Sequence, residues 1–242
     1  MTMTMTDLVG KVLAKRESAR SPLRIVQAGH PALRANSRPL ADDLPASQLA
    51  ELIEAMVITM VEAPGVGVAA PQVGLPLRLV VMADHVDEDE EADDDPYERT
   101  TLPLMAVLSP RYERVSGEDT VTYGWEGCLS VDGWRSLVPR PKVIRARGTL
   151  VEPDGSRREL DEILRGWPAR IFQHEADHLD GVLCHDLSVP RSLVQDRYQG
   201  YYTELTEAVH YLGLAGEVST LDEGEVDVTQ APAPDTHEEN HG

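Results

Sequence analysis

The chain has 242 residues, of which 41% are hydrophobic, and a formal net charge of −20. Sixteen of the 42 acidic residues lie in segments 87–95 and 217–242, and the remaining 26 nearly balance the 22 Lys and Arg. This argues against binding nucleic acid or acidic substrates through bulk charge. No apolar stretch is long enough to span a bilayer, and two cysteines cannot build a disulfide framework, so we expect a cytoplasmic protein.

The first half of the chain predicts one helix and one strand after a polar start. Residues 1–20 predict an N-terminal extension that is partly helical, and they lack the uninterrupted apolar core of a secretory signal. Apolar residues at helical spacing predict an amphipathic helix over Pro45–Gly65. The apolar run Leu77–Met82 follows a Gly-Leu-Pro turn and predicts a buried strand.

The middle of the chain predicts strands joined by short turns. The acidic run 87–95 predicts an exposed loop inserted between strands, and Leu104–Pro110 predicts the next strand. Lys142–Glu152 partly alternates polar and apolar residues, and with the "SRREL" that follows Pro153-Asp154-Gly155 it predicts a hairpin. The predicted strands are joined in hairpins and do not alternate with helices along the chain. The fold class is therefore predicted to be α+β.

The last third predicts two helices and a tail. Pro168 suits the first turn of a helix and Gly181 suits its C-terminal end. Residues 191–214 predict a last helix, and the Pro- and acid-bearing residues 215–242 predict a disordered tail. Residues 21–190 are then the main domain.

The predicted helix near Pro168 carries His174-Glu175-Ala176-Asp177-His178, which fits the H-E-x-x-H pattern of zinc metalloproteases. Histidines at i and i+4 share one helix face, so both imidazoles can reach one ion. Glu175 lies beside the first ligand, where it could take a proton from water. Some metalloproteases have a third His ligand in the longer pattern H-E-x-x-H-x-x-G-x-x-H. In this chain Cys184 stands at the position of that His. An exposed helix face that carries these residues by chance is the alternative.

Two further segments carry groups that suit such a site. In "EGCLS" (Glu126–Ser130), Cys128 could offer a metal-binding thiolate next to a free backbone N–H, although a small buried hydrophobic residue is the common role of a free cysteine. We expect that common role for Cys184.

In "GVGVAAPQVG" (Gly65–Gly74), glycines allow close backbone approach and Gln72 supplies an amide donor. No Lys follows, so a phosphate loop is disfavoured, and a tight turn is the alternative.

These three segments together resemble the peptide deformylase family, in that order and with compatible spacing. The resemblance covers roughly Pro22 to Ser188, and "RSLVPRP" (Arg135–Pro141) is also similar to the family. It implies antiparallel sheets with hairpins packed around a central helix that carries H-E-x-x-H. It also implies a metal-dependent hydrolase that removes the N-formyl group from the N-terminal methionine of newly synthesised proteins and releases formate.

The resemblance implies a role for each site residue. Cys128, His174 and His178 are the implied ligands of one divalent metal ion, with Fe(II) favoured and Zn, Ni or Co as alternatives. Glu175 is the implied proton carrier. Oxyanion stabilisation is implied for the Gln72 amide and the Leu129 backbone N–H. The implied substrate-binding positions are Val66, Gly67, Gly127, Arg135, Trp167 and Ile171. Arg170 and His174 are also expected near the methionine pocket, although Arg170 is predicted to face solvent.

The expected partners are N-formyl-methionyl nascent peptides, with transient ribosome proximity and neither direct nucleic-acid binding nor a membrane. Ribosome contact through a basic C-terminus is not expected, because the tail is acidic. Two alternative functions remain open. A metallopeptidase would cleave unformylated peptides, and a catalytically silent binding module would be expected to lose Glu175 or a metal ligand.

Overall fold

A computed structural model of the chain describes residues 3–40, 44–86, 95, 97–118, 120–202, 208, 211–212 and 225–226. Within these residues, strands joined largely by antiparallel pairing form two sheets, and the longest helices pack on the larger sheet. The predicted α+β class is therefore confirmed.

Some of the elements in the described residues were predicted from the sequence, and others were not. The helices are α1 (Met5–Leu13), α2 (Ala46–Glu62), α3 (Gly166–His178) and α4 (Asp196–Gln199). The strands are β1 (Gly67–Ala69), β2 (Leu79–Asp84), β3 (Leu102–Arg114), β4 (Val121–Gly127), β5 (Trp134–Pro141), β6 (Val143–Val151), β7 (Arg157–Arg165), β8 (Val194–Gln195) and β9 (Glu225–Val226). The helix predicted over Pro45–Gly65 is α2, and the predicted hairpin is formed by β6 and β7.

Strand β5 was not predicted, because prolines remove hydrogen-bond donors from a sheet. One sheet has the order β1-β2-β3-β6-β7, and the other has the order β8-β5-β4-β9. In the second sheet, β8 pairs only with Trp134 and Arg135 at the start of β5. Pro139 and Pro141 pair with β4 alone, so each proline lies where β5 has a strand partner on one side only.

Strand β2 of the five-stranded sheet is buried on both faces. Leu79 and Val81 contribute to a core cluster with α1 and α2, whereas Val80 and Met82 contribute to a second cluster with α3. This alternation follows from the period of two along a strand. Helix α3 thus packs against several strands of this sheet, which positions the side chains that it carries.

Residues 1–20 were predicted to lie outside the main domain, but α1 is part of its core. The Thr4 hydroxyl accepts a hydrogen bond from the Asp7 N–H at 3.1 Å, and the Asp7 carboxylate accepts one from the Thr4 N–H at 3.2 Å. This reciprocal pair is a capping box that starts the helix. Val9 and Leu13 are buried against the residues of α2.

We expect Leu13→Ala to lower the free energy of unfolding by about 2–3 kcal/mol, because truncating a buried Leu removes apolar contact and leaves a cavity. Chemical denaturation of both proteins measures the difference. Leu104→Ala is the matched control, since Leu104 is 58% exposed and its loss should change stability by less than about 0.5 kcal/mol. Equal stability of the Leu13→Ala variant and the wild type would show that α1 is dispensable.

The prediction of one helix over residues 191–214 is wrong for residues 191–202. Tertiary contacts override helix propensity there: the Leu137 N–H donates to the Ser192 hydroxyl at 2.8 Å, and β8 pairs with β5. Within residues 196–202, the four residues of α4 and a 3₁₀ turn over Gly200–Tyr202 follow.

Two other predictions fall largely outside the described residues. Of the acidic segment 87–95 only Asp95 is described, and of the tail 215–242 only β9, whose backbone pairs with Val121 and Thr122. None of the described helices combines the length and the apolar character needed to cross a membrane.

Candidate metal centre and active site

Helix α3 presents His174, Glu175 and His178 near one cavity. Gly166 begins the helix with a φ of 60° and His178 is its last residue. The rings of His174 and His178 lie one turn apart, with centroids 5.0 Å apart and planes at 80°. The spacing of the motif therefore brings two imidazoles to the same place.

Cys128 follows the last residue of β4 and completes a three-donor group. Its Sγ lies 3.4 Å from His178 Nε2, and one donor atom each of Cys128, His174 and His178 lie within 4.8 Å of one another. Donors bound to one tetrahedral ion at 2.0–2.3 Å are separated by about 3.3–3.6 Å. One thiolate and two imidazoles at these separations fit a borderline-soft divalent cation such as Fe(II), Co, Ni or Zn.

The ring of His174 is oriented by Glu126. His174 Nδ1 lies 3.0 Å from Glu126 Oε2, and because a carboxylate only accepts, Nδ1 carries the proton and Nε2 is left for a cation. Burial disfavours a charged ring, but hydrogen bonds to Cys128 and Glu126 outweigh it and raise the pKa of His174. A metal ion would replace the second proton of this ring.

Glu126 is the centre of a buried ionic network. Arg140 donates to its two oxygens at 2.9 and 3.0 Å, and Arg170 donates to Oε1 at 2.6 Å. Burial alone would raise the pKa of Glu126, but Arg140, His174 and Arg170 hold it well below the usual range. Arg140 also pairs with Asp177 of α3, so two carboxylates balance two guanidinium groups.

Arg170 was predicted to face solvent, and that prediction is wrong. Arg170 is 3% exposed. Besides Glu126, its guanidinium donates to the Val138 and Thr122 carbonyls at 2.9 and 2.8 Å. Gly124 leaves room for it, since a Cβ there would lie 2.9 Å from Arg170 Cζ.

Glu175 is buried without a matching cation among the described side chains. Its Oε2 has no hydrogen-bond partner in the described residues, and burial raises its pKa to about 7. A cation at the Cys128–His174–His178 group would oppose that shift, because positive charge favours the carboxylate. Gly67 allows the carboxylate to lie against β1, since a Cβ there would be 2.3 Å from Glu175 Oε1.

Gln72 directs an amide donor toward the same cavity. Its Oε1 accepts a hydrogen bond from the Ala69 N–H at 2.8 Å, which leaves the NH₂ group facing Cys128 Sγ at 3.6 Å. The opposite orientation would place two donors against each other. The Leu129 N–H has no acceptor among the described residues. Two donors are thus available beside Cys128.

A second donor group, Glu126, His174 and Cys184, is less suited to a metal ion. The Glu126 carboxylate is already bound by two guanidinium groups, and burial raises the pKa of Cys184 to about 12. Cys184 is 2% exposed and packs with Val138. This agrees with the role of a small buried hydrophobic residue.

A cavity of about 390 Å³ is lined by Gln72, Cys128, His174 and Glu175. All of the sequence-predicted substrate positions line it, namely Val66, Gly67, Gly127, Arg135, Trp167 and Ile171. Among the described residues, two of its walls are strand edges: β1 is the edge of its sheet, and β9 pairs with the first two residues of β4. An extended peptide could therefore lie along Gly67 and Gly127.

Several contacts hold Trp167 in the wall of the cavity. Trp167 Nε1 donates to Asp84 at 2.7 Å, its ring meets Tyr97 edge-on at 5.6 Å, and the Arg99 guanidinium lies 5.3 Å from its centroid. Arg135, which also lines the cavity, forms an ion pair with Asp196 at 3.0 Å.

Sequence reasoning did not assign Glu126, Arg140 or Asp177. Each lies inside a segment that was singled out for its motif. Their partners are 14 to 65 residues away in the chain, and pairing at such separations is not visible in a local pattern.

Comparison with known proteins gives a consistent result. The profile of the family described as "Polypeptide deformylase" matches residues 22–192. The chain is 44% identical to Peptide deformylase 3 of Streptomyces avermitilis, over 78% of this chain and 80% of that protein. It is 42% identical to Peptide deformylase 1 of Bifidobacterium longum, over 84% of this chain and 91% of that protein.

A solved structure resembles the fold as well. The Met-Ala-Ser-bound class I type b peptide deformylase of Acinetobacter baumannii superposes with a TM-score of 0.58 at 30% identity. The match covers 69% of this chain and 99% of that chain.

Proposed function

The chain belongs to the peptide deformylase family, and from that membership we propose how its own residues perform the reaction. The enzyme is a metal-dependent hydrolase that removes the N-formyl group from the N-terminal methionine of newly synthesised proteins. The observation that carries the proposal is the meeting of Cys128, His174 and His178 beside the buried carboxylate of Glu175.

Cys128, His174 and His178 are the proposed ligands of one divalent ion. When bound, the ion supplies a Lewis acid that polarises the formyl carbonyl and lowers the pKa of water. One thiolate and two imidazoles suit Fe(II), Zn, Ni and Co alike, and we favour Fe(II) because the resemblance to the family implies it. The Glu126 hydrogen bond keeps His174 Nε2 free for the ion.

Glu175 is the proposed proton carrier. Its carboxylate is buried and has a free oxygen, so it can accept the proton of the attacking water and later deliver it to the leaving amine. No other buried carboxylate of the described site is free for this task, since Glu126 and Asp177 are bound by Arg140.

Gln72 and Leu129 are the proposed oxyanion donors. The Ala69 N–H fixes the Gln72 side chain so that its NH₂ group faces the cavity, and the Leu129 N–H is free in the described structure. Donors oriented before the reaction stabilise developing negative charge without reorganising.

The substrate is proposed to bind as an added strand between the β1 and β4 edges. Val66, Gly67 and Gly127 line the cavity there, and peptide addition to a sheet edge is a common recognition mode. The methionine side chain would lie near Trp167 and Ile171. The Met-Ala-Ser-bound relative supports a tripeptide-sized occupant of this fold.

Further partners and location follow from the substrate. Formylated chains emerge from ribosomes, so we propose transient ribosome proximity and a cytoplasmic site of action. We propose no direct binding of nucleic acid, because the charge of the chain is strongly negative.

We expect anaerobically purified enzyme to release formate from formyl-Met-Ala-Ser and to contain about one divalent ion per chain. Chelation should abolish formate release, and Fe(II), Ni or Co should restore it, because the water must be activated by a cation. Metal analysis and a formate assay on the same sample measure both. An unformylated peptide assayed in parallel should not be cleaved. No formate release with metal restored would contradict the proposal, and cleavage of the unformylated peptide would favour a metallopeptidase.

A further inference from the structure

A second cavity of about 440 Å³ lies beside the active-site cavity. We call it the aromatic groove and define it by Trp134, Leu193, Tyr198, Tyr201 and Tyr202. Its side chains are unusually exposed for their size, at 37% for Trp134, 46% for Tyr198 and 74% for Tyr201. None of the described residues that line it is charged. Exposed, contiguous apolar side chains of this kind mark binding surfaces.

The aromatic groove is continuous with the active-site cavity. Trp134 lines both cavities. The next residue along β5, Arg135, pairs with Asp196 at the rim of the active-site cavity, and Asp196 directly follows the groove residue Gln195. A chain that leaves the active site past Trp134 therefore enters the groove.

The groove is held in place from both ends. Val194 and Gln195 pair with β5, and the Asp196 N–H donates to the Gly133 carbonyl at 3.0 Å. At the far end, Trp125 Nε1 donates to the Tyr202 carbonyl at 2.9 Å. A wall anchored in this way is preformed, so little conformational entropy is lost when a ligand binds.

We propose that the aromatic groove binds an apolar side chain of the substrate, downstream of the residues held in the active-site cavity. Tyr and Trp offer large rigid apolar surfaces, and their polar atoms can bond a peptide backbone. Most of the groove lies in residues Leu193–Tyr202, beyond the range 22–192 that matches the family, whereas Trp134 lies within that range. The inference rests on the proposed function.

The test compares formyl-Met-Ala-Ser with longer formylated peptides. The longer peptides continue in Ser and Gly and carry a single Phe at position 4, 5, 6, 7 or 8. We expect Phe at one or two adjacent positions to raise kcat/KM about tenfold over the Ser-Gly peptide. The gain should come from a lower KM, because the Phe ring is buried equally in the ground state and in the transition state. Tyr201→Ala and Leu193→Ala should remove that gain. Leu104→Ala, an exposed Leu on the other sheet, should keep it.

Each result has a distinct meaning. If the tripeptide is deformylated but Phe changes nothing at any position, the inference is wrong and the proposed function stands. If metal-loaded enzyme releases no formate even from the tripeptide, the proposed function itself fails. Loss of the gain in Leu104→Ala would also overturn the inference. The inference would also be overturned if sedimentation shows that the wild type is a dimer and that Tyr201→Ala is a monomer. A second copy of the chain would then cover the groove.

Discussion

We expect Glu175→Gln to retain its metal ion and to lose at least about a hundredfold in kcat, since general acid–base catalysis contributes roughly 10²–10⁴-fold. Glutamine has nearly the same shape as glutamate and preserves the close contact with Gly67. It cannot accept a proton from water at neutral pH. The ligands Cys128, His174 and His178 are unchanged. Metal analysis and formate release measure both parts of the prediction.

The stability of the Glu175→Gln variant separates a catalytic role from a structural one. Glu175 is 3% exposed, and one of its oxygens has no partner among the described residues. Removing a buried, unpaired carboxylate should leave metal-free protein at least as stable as the wild type. Glu162→Gln makes the same chemical change at an exposed position of β7 and should leave kcat unchanged. A metal-replete Glu175→Gln enzyme with wild-type turnover would remove Glu175 from the mechanism.

Glu126→Gln is expected to weaken both the fold and the metal centre. The substitution leaves Arg140 and Arg170 buried with one carboxylate fewer. Breaking a buried ion pair on one side costs about 3–5 kcal/mol in the free energy of unfolding. Because Glu126 also orients His174, metal affinity should fall about 10–100-fold, as it does when the outer partner of a metal-bound histidine is lost.

The control for Glu126→Gln is Asp161→Asn, which removes a carboxylate from an exposed pair with Arg145. Pairs of that kind contribute about 0–1 kcal/mol. Denaturation of the metal-free proteins measures the stability difference, and competition with a chelator measures the change in metal affinity. Equal stability of the two variants would mean that the Glu126 network does not support the fold. Unchanged metal affinity would mean that Glu126 does not orient His174.

Local patterns predicted α2, α3, β2, β3 and the hairpin of β6 and β7, and the motifs predicted the family of this protein. The spacing of His174 and His178 places both rings on one helix face by helix geometry alone, and the periods of the strands and of α2 come from residues close in sequence. The three motif segments were sufficient to identify the family, because each motif is short and continuous. Amphipathic periodicity did not predict that α1 joins the core, since it does not reveal which surface will cover the apolar face.

What depends on distant parts of the chain was decided only by the tertiary structure. Arg170 looked like a surface residue because a charge is expensive to bury alone, and its partner Glu126 lies 44 residues away. Residues 191–202 have a helix-like composition, yet pairing with β5 offered their backbone other hydrogen-bond partners. The sequence by itself thus determined which groups perform the chemistry, through short-range geometry. The folded chain determined how those groups are charged, oriented and enclosed, because burial and ion pairing arise only where distant segments meet.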